Sequence, residues 1–201
     1  ADPFTMATYA KSKAGLIART FVMEKAIDEY GRVVGPGLQE ILAPISSDEM
    51  QPFIAYGVAR RALHLQNRGI ESGVDIEDAK FIVDKYSGKE DWDSVLEGIT
   101  AWSNHLLDWV VHAGGLGQKE AAIIRELNPT YLPFIRAFVN EVGVFRGAGA
   151  SMVNRGQSVK TRKGSARPII NPIESLVSQA TEMILKAQKI NIARLIADLA
   201  H

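Results

Sequence analysis

The 201-residue sequence predicts an all-α fold of about six helices in an orthogonal array, with a long basic, Gly-rich loop before the C-terminal helix. Three observations carry that expectation. Apolar residues recur at three- and four-residue intervals through most of the chain, the spacing that gathers side chains on one face of a helix. The clearest of these stretches have start and stop signals at their ends, Ser, Asp or Asn before and Gly after. Aromatic residues make up only 7% of the chain, below what the Tyr-, Val- and Thr-rich runs of a β-sandwich would bring.

The elements follow in order. Leu16, Ile17, Phe21 and Ile27 predict a first helix from Ser12 to about Tyr30, with Gly31 as its stop. Gly35-Pro36-Gly37 is a break, after which Leu38, Ile41 and Leu42 make a short helical turn that ends at Pro44. Ser46-Ser47-Asp48-Glu49 has the form of a capping box, so a helix should run from there to about Asn67, with Gly69 closing it. Asp75 caps a shorter helix, Ile76 to Lys85. A long one, about Asp91 to His112, carries Trp92, Trp102 and Trp109 on a broad apolar stripe and ends at Gly114-Gly115. Gln118 to Leu127 reads as a short amphipathic helix halted by Asn128-Pro129.

Beyond this point periodicity weakens. Tyr131-Leu132-Pro133-Phe134 should be extended, because Pro133 does not propagate a helix. Residues 143–168 hold five glycines among small and basic residues and predict a loop or hairpin of a length that compact domains keep for function. Asn171-Pro172-Ile173-Glu174 is a strong helix start, with Asn as the cap and Pro in first position, and that helix should reach about Ala200. Its apolar residues exceed one stripe, so it is expected to be buried on more than one side or to pair with a second copy. The domain reading is a helical core at 6–142, the basic loop at 143–168 and a C-terminal helix at 169–201 packed on the core. Residues 1–5 precede Met6 and read as a vector remnant. The last helix pattern runs into His201 without a capping Gly or Asn, which reads as a cut within a longer polypeptide.

Composition narrows the function classes. The absence of cysteine removes disulfides, thiolate metal sites and cysteine nucleophiles. No apolar run approaches the ~20 residues of a membrane span and no secretory leader is visible, so a cytoplasmic location is expected, neither secreted nor transmembrane. Formal net charge is zero, but Arg146, Arg155, Lys160, Arg162, Lys163 and Arg167 occur between Glu141 and Glu174 with no acid among them. That stretch carries +6 and the remainder −6.

Candidate chemistry is sparse. His105, Asp108 and His112 share a helix face and could offer metal ligands, but the Glu base of a zinc-hydrolase helix is missing, and dipole-stabilised pairing at a helix end accounts for them better. Gly156 to Thr161 echoes a phosphate loop without its Gly before Lys160. Ser151, Ser158, Ser165 and His64 form no triad readable from sequence, and Glu77-Asp78 and Glu90-Asp91 fit helix starts rather than acid–base dyads. No metal or cofactor is expected. The most functional-looking stretch is basic: Arg155, Lys160, Arg162, Lys163 and Arg167 could neutralise phosphates in sequence-independent nucleic-acid binding, though without interleaved aromatics.

Three segments together resemble a module of the polyvalent proteins, very large multidomain proteins of phages and integrative mobile elements. They are Ala55 to Leu63 continuing to Gly69-Ile70-Glu71-Ser72-Gly73, then Leu127 to Phe134, then Gly164 to Leu176. The resemblance spans roughly residues 50 to 200 and departs from the pattern at Asn128-Pro129. It implies a helical piece between other domains of a protein that is virion-associated or delivered with DNA, with Arg60, Tyr131, Pro133, Asn171 and Pro172 as motif residues and no catalytic ones. The expected function is therefore a non-enzymatic structural or interaction module, with other domains of the same polypeptide as partners. A nucleic-acid-binding domain using the basic loop is the first alternative and a hydrolase with an unrecognised site the second. Self-association through the C-terminal helix is a further expectation.

Overall fold

Proline fits the first turn of a helix because the amide it lacks would have no intrahelical acceptor there. Pro3 and Pro172 both stand at that position. The computed structural model describes residues 3–133, 138–139, 145–146 and 171–199. In order it contains α1 (Pro3–Met23), β1 (Lys25–Ile27), β2 (Val33–Pro36), α2 (Leu38–Leu42), α3 (Met50–Asn67), α4 (Ile76–Lys85), α5 (Glu90–His112), α6 (Gln118–Glu126), β3 (Phe138–Val139), β4 (Phe145–Arg146) and α7 (Pro172–Leu199). The chain is mostly helical, as expected. Among the described residues the strands form two antiparallel pairs, β1 with β2 and β3 with β4.

The first helix is corrected at both ends. It starts at Pro3, within the residues set aside as a remnant, and it stops at Met23 rather than near Tyr30. Asp28 accounts for the stop. Its Oδ1 accepts from the Tyr30 amide at 3.0 Å and the Arg32 amide at 2.9 Å, while Oδ2 pairs with Arg32 Nε at 2.6 Å. Gly31 takes φ +81° in the same turn, a conformation open to glycine. The result is a hairpin with Lys25 opposite Pro36, Ala26 opposite Gly35 and Ile27 opposite Val33, with an irregularity between Ala26 and Ile27.

Other boundaries follow their signals more closely. Asp75 caps α4 by accepting from the amides of Glu77 and Asp78 at 2.9 and 3.0 Å. Asn171 Oδ1 caps α7 at the Ile173 amide, 3.0 Å away. Gly69 (φ +67°) and Gly114 (φ +72°) close α3 and α5. In each closure the next residue's amide bonds the carbonyl five residues back, Ile70 to Leu65 and Gly115 to Val110. The capping box at Ser46 does not form: α3 begins at Met50, and the Ser46 hydroxyl donates to the Glu49 carboxylate at 2.8 Å instead of accepting from a backbone amide.

The chain divides into two units. The first comprises Ala1–Leu42, Gly98–Pro129 and Val177–His201. Ala10, Ala14, Ile17, Ala18 and Phe21 form the buried face of α1. Phe21 meets the rings of Trp102 and Trp109 edge-on at 6.1 and 6.4 Å. The Trp102 indole donates to the Phe21 carbonyl at 2.9 Å, and that of Trp109 to the Ile27 carbonyl at 2.8 Å. Phe21 lies in the last turn of α1, where carbonyls have no intrahelical partner, so Trp102 satisfies one that the helix cannot. Leu107, Val111 and Ala121 form a second cluster with Leu116, Ile124 and Met183.

The second unit comprises Ala43–Glu97 and Thr130–Leu176. Phe53, Tyr56, Ala59, Ala62 and Leu65 are the buried stripe of α3. Ala59 and Ala62 pack with Ala79 of α4, where the small side chains let the helices approach, and Leu63, Val74, Ile82 and Val83 close round them. Trp92, Val95 and Leu96 from the first turns of α5 are buried, as are Leu132 and Leu176.

Candidate functional site: a buried arginine among the motif residues

Four-residue spacing places Phe53, Gly57 and Arg61 on one row of α3. A Cβ at Gly57 would lie 3.0 Å from Leu132 Cδ2 and 3.1 Å from Leu96 Cδ2, so the close seating of Leu132 depends on glycine there. The same segment brings Thr130 and Tyr131 to Arg61. Arg61 Nη1 donates to the Thr130 carbonyl at 3.5 Å, and its guanidinium carbon sits 5.9 Å from the Tyr131 ring centroid. Arg61 is 1% exposed. Burial of a guanidinium is costly unless its donors and charge are met. The carbonyl and the ring face contribute to meeting them.

The adjacent row of α3 holds Tyr56 and Arg60. Both engage Asp93 Oδ1: the Tyr56 hydroxyl donates to it at 2.8 Å and Arg60 Nη1 pairs with it. Burial, then the hydrogen bond to Asp93, raises the pKa of the Tyr56 hydroxyl above its ordinary value of 10.0. It therefore stays a protonated donor at neutral pH. Trp92 packs edge-on to Phe53 at 5.8 Å and lies 5.7 and 5.0 Å from the rings of Tyr56 and Tyr86. Lys89 reaches over Trp92 at 5.4 Å and pairs with Glu49 at 2.6 Å. The hydrogen bonds from Lys89 and Ser46 hold the Glu49 carboxyl below its ordinary value.

All five motif residues lie in this second unit. Arg60 forms the half-exposed pair with Asp93, Tyr131 faces Arg61, Pro133 is fully buried, and Asn171 and Pro172 start α7. Sequence reasoning chose Arg60 and passed over Arg61, the buried cation. The signal available was its four-residue step from Phe53 and Gly57. Asp93 was also missed, because a carboxylate in the first turn of a helix has a sufficient explanation in the dipole. The basic residues Arg155, Lys160, Arg162, Lys163 and Arg167 lie outside the described residues, as do Ser151, Ser158, Ser165 and the Gly156–Thr161 segment.

In the first unit the face of α5 bearing His105, Asp108 and His112 is divided among separate pairings. Asp108 Oδ1 binds Arg125 Nη2, and its Oδ2 is 4.0 Å from His105 Nδ1. His112 turns Nε2 to Glu29 at 3.1 Å and Nδ1 to the Asp108 carbonyl at 3.2 Å. Among the described residues no three His, Asp or Glu side chains converge where they could hold a metal ion.

Comparison of the chain with protein-family models, curated proteins and solved structures finds no match. No helix among the described residues is long and apolar enough to cross a membrane.

Proposed function

We propose that this chain is a non-enzymatic structural and interaction module of a large phage or mobile-element protein that travels with DNA, in the cytoplasm or the virion. Its partners are other domains of the same polypeptide. The observation that carries the reading is the use made of the motif residues: Tyr131 packs on a buried guanidinium, Pro133 fills the core, and Asn171 and Pro172 start a helix. Side chains committed to internal packing are those of a framework. An active site instead gathers polar groups in a cleft where substrate can reach them. An array of about six crossing helices with the basic segment projecting from it, and pairing of two copies through α7, belong to the same proposal.

A second reading is favoured by the six cations without an acid between Glu141 and Glu174, which would make the chain a nucleic-acid-binding domain. Titration of a fluorescent single strand and duplex with the purified protein, at low and at physiological salt, separates the two. The module reading expects no binding at low salt. Binding that weakens steeply with salt, and is lost when Arg155, Lys160, Arg162, Lys163 and Arg167 are changed to Gln, would replace it with the nucleic-acid reading.

A further inference from the structure

The inward face of α1 is accounted for by the Phe21 core; its outward face is not. Tyr9, Leu16 and Met23 recur there at seven-residue intervals and are 64%, 67% and 53% exposed. One exposed leucine is ordinary. Three large apolar side chains in a line about 21 Å long, at 1.5 Å per residue, form a ridge that water covers unfavourably. Ser12 and Gly15 are exposed beside the ridge, and the space over Gly15 is open to 4 Å. Large residues separated by small ones leave the hollows that receive the side chains of a facing helix.

Charge narrows the occupant. α1 carries Lys11, Lys13 and Arg19, all exposed, and no acidic residue. A facing helix with Glu or Asp beside its apolar stripe meets Lys13 and Arg19, which flank the ridge on either side, as flanking charges do in helix pairs, while a basic one is repelled. The same repulsion opposes a second copy of α1 on this face. A nucleic-acid backbone would neutralise the cations but leave the ridge in water.

We infer that the outward face of α1 docks an amphipathic helix whose apolar stripe is flanked by acidic residues, supplied by another domain or polypeptide. The inference rests on the chain being an interaction module, and it names the surface and the partner chemistry.

The test uses the whole chain and two fluorescein-labelled synthetic helical peptides of 21 residues, the length of α1. They share one leucine stripe, flanked by Glu in one and by Lys in the other. Fluorescence anisotropy should show the Glu-flanked peptide binding at least about tenfold more tightly than its twin. Leu16→Glu should weaken that binding by about tenfold or more, the loss expected for an anchoring apolar residue. Lys13→Glu with Arg19→Glu should narrow or reverse the preference between the twins. Leu16 is exposed, so circular dichroism should show the variant folded. Equal binding of both peptides, no binding of either, or indifference to Leu16→Glu overturns the inference. So does Leu16-dependent binding to phosphatidylserine vesicles without binding to the peptide, which would make the face a lipid contact. Failure here leaves the module reading to the nucleic-acid titration, which probes residues this test does not touch.

Discussion

Gly37 stands where no side chain fits: a Cβ there would lie 2.6 Å from the carbonyl oxygen of Glu24, the same oxygen that accepts the Gly37 amide at 3.2 Å. The obstacle is backbone, so it cannot rotate away. Gly37→Ala should lower stability by about 1–3 kcal/mol in urea unfolding. Gly88→Ala, in open space, should change it by no more than about 0.5 kcal/mol. Asp28 gives the hairpin turn a pH dependence. Burial pushes its carboxyl up, but the Arg32 amide, the Arg32 side chain and the Tyr30 amide together hold it below the ordinary 3.8. A carboxyl depressed in the folded state stabilises above its unfolded value, and that contribution fades as pH falls through the folded one. The stability difference between the wild type and Asp28→Asn should therefore shrink as pH is lowered through and below about 3.8, read from chemical unfolding at stepped pH. At this scale the sequence was least legible. Arg60 and Arg61 are adjacent and alike in type; the row that Arg61 shares with Phe53 and Gly57 sets it apart, but its partners Thr130 and Tyr131 lie far off in sequence.

Asn171 and Asp75 each satisfy amides that a helix start leaves open. Asn171→Ala and Asp75→Ala should each cost about 1 kcal/mol in thermal or urea melts, whereas Ser46→Ala should cost less because its hydroxyl caps no amide. A polar cap and a left-handed glycine stop were each legible to within a residue or two, as Asp75 at the start of α4 and Gly69 after α3 show. The run through Phe21 to Ile27 was not. Helical spacing persists across Met23 because Ile27 is still apolar, and a three-residue strand is too short to display alternation. What distinguishes it is Asp28 with Gly31 three residues on, a turn signal whose force comes from hydrogen bonds to amides rather than from hydrophobic pattern.

The helical class of the whole chain was open to composition and periodicity, which average over many residues. Its division into two units was not. The boundaries at Gly98 and Val177 fall inside α5 and α7, where the apolar rhythm continues without a break, so no linker marks them. The candidate framework was partly legible: its proline and asparagine positions follow from local chemistry, while Arg61 and Asp93 depend on segments distant in sequence. The same division distributes the three tryptophans unequally. Trp92 stands in one unit among Phe53, Tyr56 and Tyr86, and Trp102 and Trp109 stand in the other, each bonded through its indole to a backbone carbonyl. The protein thus carries separate intrinsic fluorophores for its two halves. With Trp92→Phe, the remaining tryptophan emission reports only the part built on Phe21, so loosening of that half can be followed without an attached dye.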